Sequence, residues 1–233
     1  MTSLSRRLFV GGAAASVAAL LAPSADGARI YRPGDWKISA FNDLLHQKYE
    51  VKQVCDIVDI DEGSAFDHIV NVINGLHFGF GIPDHQIKIV AAIRGSATPM
   101  TFNDVIWEKY KIGEFTKVDD WKTNKPSTRN PFYPSDFGNP PKYLSQDPND
   151  PKAFEEDSSI QALQTRGLQL FACHTAISAL SAGLIRRMKL TEKKEDIVDE
   201  IQSNLLPNVI VVPTMVSVIP ILQSKGHFSY IRM

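Results

Sequence analysis

The stretch Ile87-Lys-Ile-Val-Ala-Ala-Ile93 limits what this chain can become more than any other. It is nearly continuous in apolar residues, and it is too short for a buried helix. It reads as a strand dry on both faces. Such strands belong inside parallel sheets with helices above and below. The rest of the chain keeps that rhythm. Residues 53–59, 168–172, 208–212 and 228–231 read as further strands. Helical periodicity covers residues 65–80, where Phe66, Ile69, Ile73 and Leu76 form one stripe. It returns at 103–111, 158–166, 175–188, 193–205 and 214–224, the last expected to be short or kinked at Pro220. Buried strands alternating with helices predict an α/β fold with a parallel sheet covered on both faces.

The chain has 233 residues, 43% of them apolar, and a formal net charge of −1. That suits one domain with a full core. There is no basic stripe or aromatic-plus-basic platform, so nucleic acid is not an expected partner. Ser5-Arg6-Arg7-Leu8-Phe9-Val10 precedes a soft apolar run and the small residues around Ala25-Asp26-Gly27. The pattern resembles a twin-arginine export signal, with an ordinary secretion signal as the alternative. The expected organisation is a signal over residues 1–27 and a single domain over 28–233, located in the periplasm. The apolar run is short of the ~20 residues of a membrane span, and no other span is visible. Residues 29–40 read as an extended lead-in tied down by Tyr31 and Trp36. Residues 113–157 break the rhythm. They carry Pro126, Pro131, Pro134, Pro140, Pro141, Pro148 and Pro151, with Trp121, Phe132, Tyr133, Phe137 and Tyr143 between them. That is too long for an ordinary loop and too aromatic for a disordered linker. It reads as a packed ornament, an oligomer interface or a lid.

Cys173 is the first candidate for chemistry. It ends the strand Leu168-Gln-Leu-Phe-Ala-Cys173 and faces the start of the next helix. Free N–H groups and the helix dipole stabilise an anion at such a corner, and the thiolate is the reactive form of cysteine. Cys55 lies within Val54-Cys55-Asp56-Ile57-Val58 and reads as a small core residue. A Cys55–Cys173 bridge or a resolving-thiol role are its alternatives.

The other strand ends deliver further candidates. Arg94 closes an otherwise apolar strand, so it needs solvent or a partner. It either forms a plain ion pair or serves a Cys173 thiolate and an anionic sulfur substrate. His174 can act as base beside the thiol, or simply pack. Gly95, Thr175 and Thr214 are substrate-binding candidates. Their plain roles are a backbone turn for Gly95 and helix caps for the two threonines, and Asp61 likewise reads as a cap. The remaining histidines lack metal-ligand spacing, so neither a metal nor a cofactor is expected. There is no phosphate-binding loop, no Gly-x-Ser-x-Gly elbow and no Cys-x-x-Cys pair.

Residues 167–173, 205–214 and 222–231 together resemble the DsrE/DsrF-like family. Arg94-Gly95 stands where that family commonly has His-Gly, and Asn103-Asp104 and Tyr110 match its following helix. The resemblance implies a three-layer α/β/α sandwich with a mainly parallel five-stranded sheet. It also implies homotrimers or homohexamers and a role in sulfur metabolism. In several members the cysteine matching Cys173 carries a persulfide. The expected partners are therefore small sulfur species or a sulfur-donor or acceptor protein. The long insertion, Arg94 and the export signal depart from the family pattern. A non-enzymatic assembly protein that uses 113–157 as its interaction surface is the alternative.

Overall fold

The computed structural model describes residues 31–135, 138–142, 147, 149–150, 152 and 157–233. The expected export signal lies outside them, as do Phe137, Tyr143, Pro148 and Pro151 of the insertion. In chain order the elements are α1 (Ile38–His46), β1 (Val51–Ile57), α2 (Ser64–Asn74), β2 (Ile87–Ile93), α3 (Asp104–Lys109) and α4 (Ile112–Thr116). A small antiparallel ribbon, β3 (Asp119–Asp120) and β4 (Lys125–Pro126), follows. Then come α5 (Ile160–Thr165), β5 (Gln169–Cys173), α6 (His174–Met188), α7 (Lys194–Ser203), β6 (Ile210–Val212), α8 (Met215–Gly226) and β7 (Ser229–Arg232).

The main sheet has the order β6-β5-β2-β1-β7, and every neighbouring pair is parallel. It is flanked by helices as a three-layer α/β/α sandwich. The steps β1 to β2 to β5 to β6 all move the same way across the sheet. Right-handed crossovers therefore send their helices to one face. The step from β6 to β7 runs backwards, so α8 lands on the other face. The cores follow this division. Ile57, Ile89, Ile93 and Leu170 pack under α2 and α5, and Ala172 packs with α3, α6 and α7. Val54, Val90, Phe171 and Val212 pack with α1 and α8 on the other face.

Three expectations need correction. The lead-in is not extended to residue 40. Helix α1 starts at Ile38 and buries Phe41, Leu44 and Leu45, an i, i+3, i+4 stripe, against the sheet and α8. The helix expected over 65–80 stops at Asn74 and continues as one π-helical turn, Gly75–Gly79. Glycines at 75, 79 and 81 weaken an α-helix there, and Gly81 turns the chain with φ 72°. Helix α8 runs through Pro220 to Gly226. Pro220 is on the exposed side, so the lost N–H opens toward water.

The described part of the insertion is bolted to the body. Asn130 is fully buried, and its Nδ2 donates to the carbonyls of Met100 (2.9 Å) and Phe102 (2.7 Å). Its backbone N–H donates to Asp104 Oδ1 at 2.9 Å. The Phe132 ring meets the buried Trp107 edge-on, 6.2 Å between centroids.

A second polar anchor ties the π-turn to α5. Arg166 donates from Nε to Asp84 Oδ2 (2.7 Å) and from Nη1 to Asn74 Oδ1 (2.7 Å), and His77 Nδ1 is 2.8 Å from Asp84 Oδ1. Burial pushes the Asp84 carboxyl up. The hydrogen bonds and charges of Arg166 and His77 outweigh it and hold Asp84 below the usual carboxylate range. A carboxyl lowered in the folded state adds stability above its unfolded value of about 3.9, and that stability is lost as pH falls through the folded value. Urea unfolding should therefore show wild type more stable than Asp84→Asn at pH 7, with the gap closing as the pH falls through the lowered Asp84 value. A gap that persists unchanged in acid would show that the charge of Asp84 is not its source.

Candidate functional site

In an open parallel sheet, ligands bind where neighbouring strands hand the chain to opposite faces, outside their carboxyl ends. That point lies here between β5 and β6. After β5 the chain enters α6 on the crowded face. After β6 it enters α8 on the other. Cys173 is the last residue of β5, and its side chain lies among the residues under α8.

Cys173 is also the N-cap residue of α6, which starts at His174 rather than at Thr175. Its Sγ accepts a hydrogen bond from Met215 N at 3.4 Å, the first N–H of α8. Sγ and Thr175 Oγ1 are hydrogen-bonded at 3.0 Å. The α8 amino end thus donates to the sulfur, whereas α6 reaches it through the Thr175 hydroxyl and not through a backbone N–H, the Thr175 N–H being bonded to the Pro213 carbonyl at 3.4 Å. The amino end of a helix carries a positive partial charge, and the α8 end is the one that meets the sulfur. The residue is only 4% exposed.

Arg94 is level with Cys173 on the adjacent strand, because Ile93 pairs with Ala172 in the β2–β5 register. Its guanidinium is committed to Asp56. Nε donates to Oδ1 at 2.8 Å and Nη2 to Oδ2 at 2.9 Å. Tyr230 of β7 adds a third donor, its hydroxyl 2.9 Å from Asp56 Oδ2. Asp56 is 2% exposed and Arg94 29%. A carboxylate survives in such a strand only with donors of this quality. The hydrogen bonds of Asp56 hold the guanidinium above its ordinary value, and Tyr230 and Cys173 add to that shift by charge. Desolvation and then Asp56 push the Tyr230 phenol up. Neither Asp56 nor Tyr230 stands out by motif. The usable signal was a carboxylate inside Val54-Cys55-Asp56-Ile57, where only a buried cation or donor can justify it.

The other candidates fall into two groups. Thr175 and Thr214 are at the crevice. Thr175 contacts the sulfur, and Thr214 is the N-cap of α8 without a side-chain cap bond. Gly95 is the turn after β2, with φ 61°, where a Cβ would meet the Val58 carbonyl oxygen at 2.9 Å. His174 is buried and engaged elsewhere. Its ring stacks on Tyr31, 3.8 Å between centroids, and its Nδ1 is 3.3 Å from Gln202 Nε2. Cys55 projects to the opposite face of the sheet from Cys173, so the two thiols cannot bond in this fold. Burial pushes the Cys55 thiol up to about 12.

Two surface cavities lie away from the sulfur. One of about 500 Å³ is lined by Lys48, Lys52 and His227, and one of about 410 Å³ by Tyr31, Trp36 and Val211. Among the described residues, no group of three His, Cys, Asp or Glu side chains is placed to hold a metal ion. No described helix is long and apolar enough to cross a membrane. Comparison of the chain with protein-family models, curated proteins and solved structures gives no match.

Proposed function

We propose that this protein is an exported, single-cysteine sulfur carrier of the DsrE/DsrF-like kind. The observation that carries the reading is the placement of Cys173 Sγ at the β5–β6 crevice, where it accepts from the first N–H of α8 and contacts the Thr175 hydroxyl. The thiolate attacks a sulfane sulfur, an S–S bond forms on Cys173, and the donor's leaving group departs with the electron pair. A second exchange passes the outer sulfur to an acceptor thiol. The amino end of α8 and the Thr175 hydroxyl hold the anion in both steps. Export rests on the Ser5–Val10 pattern.

Intact-mass analysis of the purified protein after incubation with polysulfide tests the reading. One sulfur adduct is expected on Cys173 and none in Cys173→Ala. Cys55 should stay unmodified, being fully buried with its thiol held up at about 12. An absent adduct, or equal labelling of Cys55, would sink the proposal.

The near-complete cover over Cys173 favours a second reading, a non-enzymatic homo-oligomeric assembly protein. Trp121 is 66% exposed at the tip of the β3–β4 ribbon and is its natural contact residue. Sedimentation of Trp121→Ala separates the two. Loss of self-association, with Cys173 inert toward polysulfide in both proteins, assigns the assembly role.

A further inference from the structure

Lys52 of β1 and Lys88 of β2 are register partners, so two ammonium groups start from strands about 4.8 Å apart on one face of the sheet. They stand near the amino ends of those strands, the opposite end of the sheet from Cys173. Charges withdrawn from water are ordinarily answered by opposite charges. Among the described residues, both amines are instead bonded to main-chain carbonyls. Lys52 Nζ donates to the carbonyl oxygens of Leu45 and Gly226, each at 3.2 Å, in the last turns of α1 and α8. Lys88 Nζ donates to the Gly167 carbonyl at 2.8 Å and lies 5.8 Å from the centre of the Tyr49 ring. Burial lowers both amines from their ordinary value. An ammonium has three donors, and Lys52 uses two of them on the helix ends.

The cavity of about 500 Å³ opens on Lys52, and that volume is ligand-sized. His46, Lys48 and His227 share its wall with Tyr49, and Glu50 is the one carboxylate among its lining residues. None of the four basic side chains has an ion-pair partner among the described residues. His46 Nδ1 is spent on the Asn42 carbonyl at 2.7 Å, which leaves Nε2 available. A chain of net charge −1 thus gathers four basic groups around one hollow. The carboxyl end of a helix normally repels an anion. Here Lys52 occupies carbonyls of both helix ends and offsets that repulsion. No arginine lines the cavity. The arginine fork suits a planar carboxylate, whereas lysine acts as a point charge and commonly binds phosphate.

We propose that the cavity between the carboxyl ends of α1 and α8 binds the phosphate groups of a small soluble molecule, with Lys52 as its fixed cation and His46, Lys48 and His227 around it. This site goes beyond the sulfur-carrier reading and does not depend on it. A multivalent anion there supplies the counter-charge that Lys52 and Lys88 lack within the fold. It also strengthens the Lys52 tie between the two helices, because binding to the folded chain alone stabilises it.

Isothermal titration of the purified protein with inorganic pyrophosphate tests the site, with citrate as a carboxylate probe of similar charge. One saturable site per chain is expected for pyrophosphate, with citrate weaker by about tenfold. Lys52→Met should weaken pyrophosphate by about tenfold, the scale of one charge-assisted contact. Lys52 also holds two helix ends, so Lys48→Gln/His227→Asn is measured beside it. Both residues are exposed, and asparagine tolerates the φ of 57° at position 227. This double variant should keep the wild-type urea midpoint and bind pyrophosphate about fivefold more weakly. Unchanged affinity in the double variant overturns the proposal, as does the absence of pyrophosphate binding to wild type. Equal affinity for citrate overturns the choice of phosphate. Sedimentation with phosphatidylglycerol vesicles separates a lipid headgroup from a free phosphate. Pelleting with vesicles, without binding of free pyrophosphate, overturns the soluble ligand.

Discussion

Gly113→Ala is expected to lose about 3 kcal/mol or more of folding stability, the scale of severe overpacking. A Cβ at residue 113 would be 2.3 Å from the Ser127 carbonyl oxygen, 2.4 Å from Ser127 N and 2.9 Å from the Val118 carbonyl oxygen. All three are backbone atoms, so no side chain can rotate away. Ser127 N also donates to Val118 O at 2.9 Å, and relieving the clash breaks that bond. The position therefore governs how the start of the insertion docks on α4. Gly183, in the interior of α6, is the matched control. Its added Cβ would find only Phe115, at 3.6 Å. Alanine there should be neutral or stabilising by up to about 1 kcal/mol, the usual glycine penalty in a helix. Urea midpoints of the two variants give the answer. A Gly113→Ala midpoint equal to wild type would refute the close-approach argument.

The second large effect belongs to Arg94→Met. Removing the guanidinium leaves Asp56 as an uncompensated charge that is 2% exposed, with the Tyr230 hydroxyl as its remaining side-chain hydrogen bond among the described residues. Breaking a buried pair from one side typically costs about 3 kcal/mol or more. Arg94 keeps some contact with water, so the effect belongs at the lower end of that range. Asp56→Asn/Arg94→Met should recover most of the loss, because no charge is then stranded. Tyr230→Phe removes one hydrogen bond to a charged group and should cost about 1.5 kcal/mol. The measurement is equilibrium unfolding of all three. If single and double arginine variants were equally unstable, the arginine's packing, and not the ion pair, would be the cause.

Much of the sheet was legible because its strands are buried on both faces. The Ile87–Ile93 run left no other structure open to it, and the alternation of periods supplied the layers. Cys173 was legible as a corner because the strand and the helix after it adjoin in sequence. What meets it from α8 was not. Met215 N and Cys173 Sγ are 42 positions apart, and Tyr230 and Asp56 are 174 apart. Contacts of that range depend on the strand order, which local pattern does not encode. Helix α1 was missed for a different reason. It begins after Lys37 with no side-chain cap bond, so the usual start signal is absent. The ribbon β3–β4 is two residues per strand, too short to show any period. His174 was read as a neighbour of the thiol from adjacency alone. Its ring is held by Tyr31 and Gln202, both distant in sequence.

Among the described residues the helices divide unevenly, two on the Cys173 face and six on the opposite one. The thin layer consists of α1 and the Pro-containing α8, whose Met215, Val218, Ile219 and Leu222 form the lid over that face. Local opening of a protein follows its least-anchored cooperative unit. Release of α8 uncovers Cys173 and leaves the α2–α7 side intact. The rate at which a thiol reagent finds Cys173 in the native protein is then a clock for the fraying of one helix. Amide exchange along Val218–Leu222 should keep the same time.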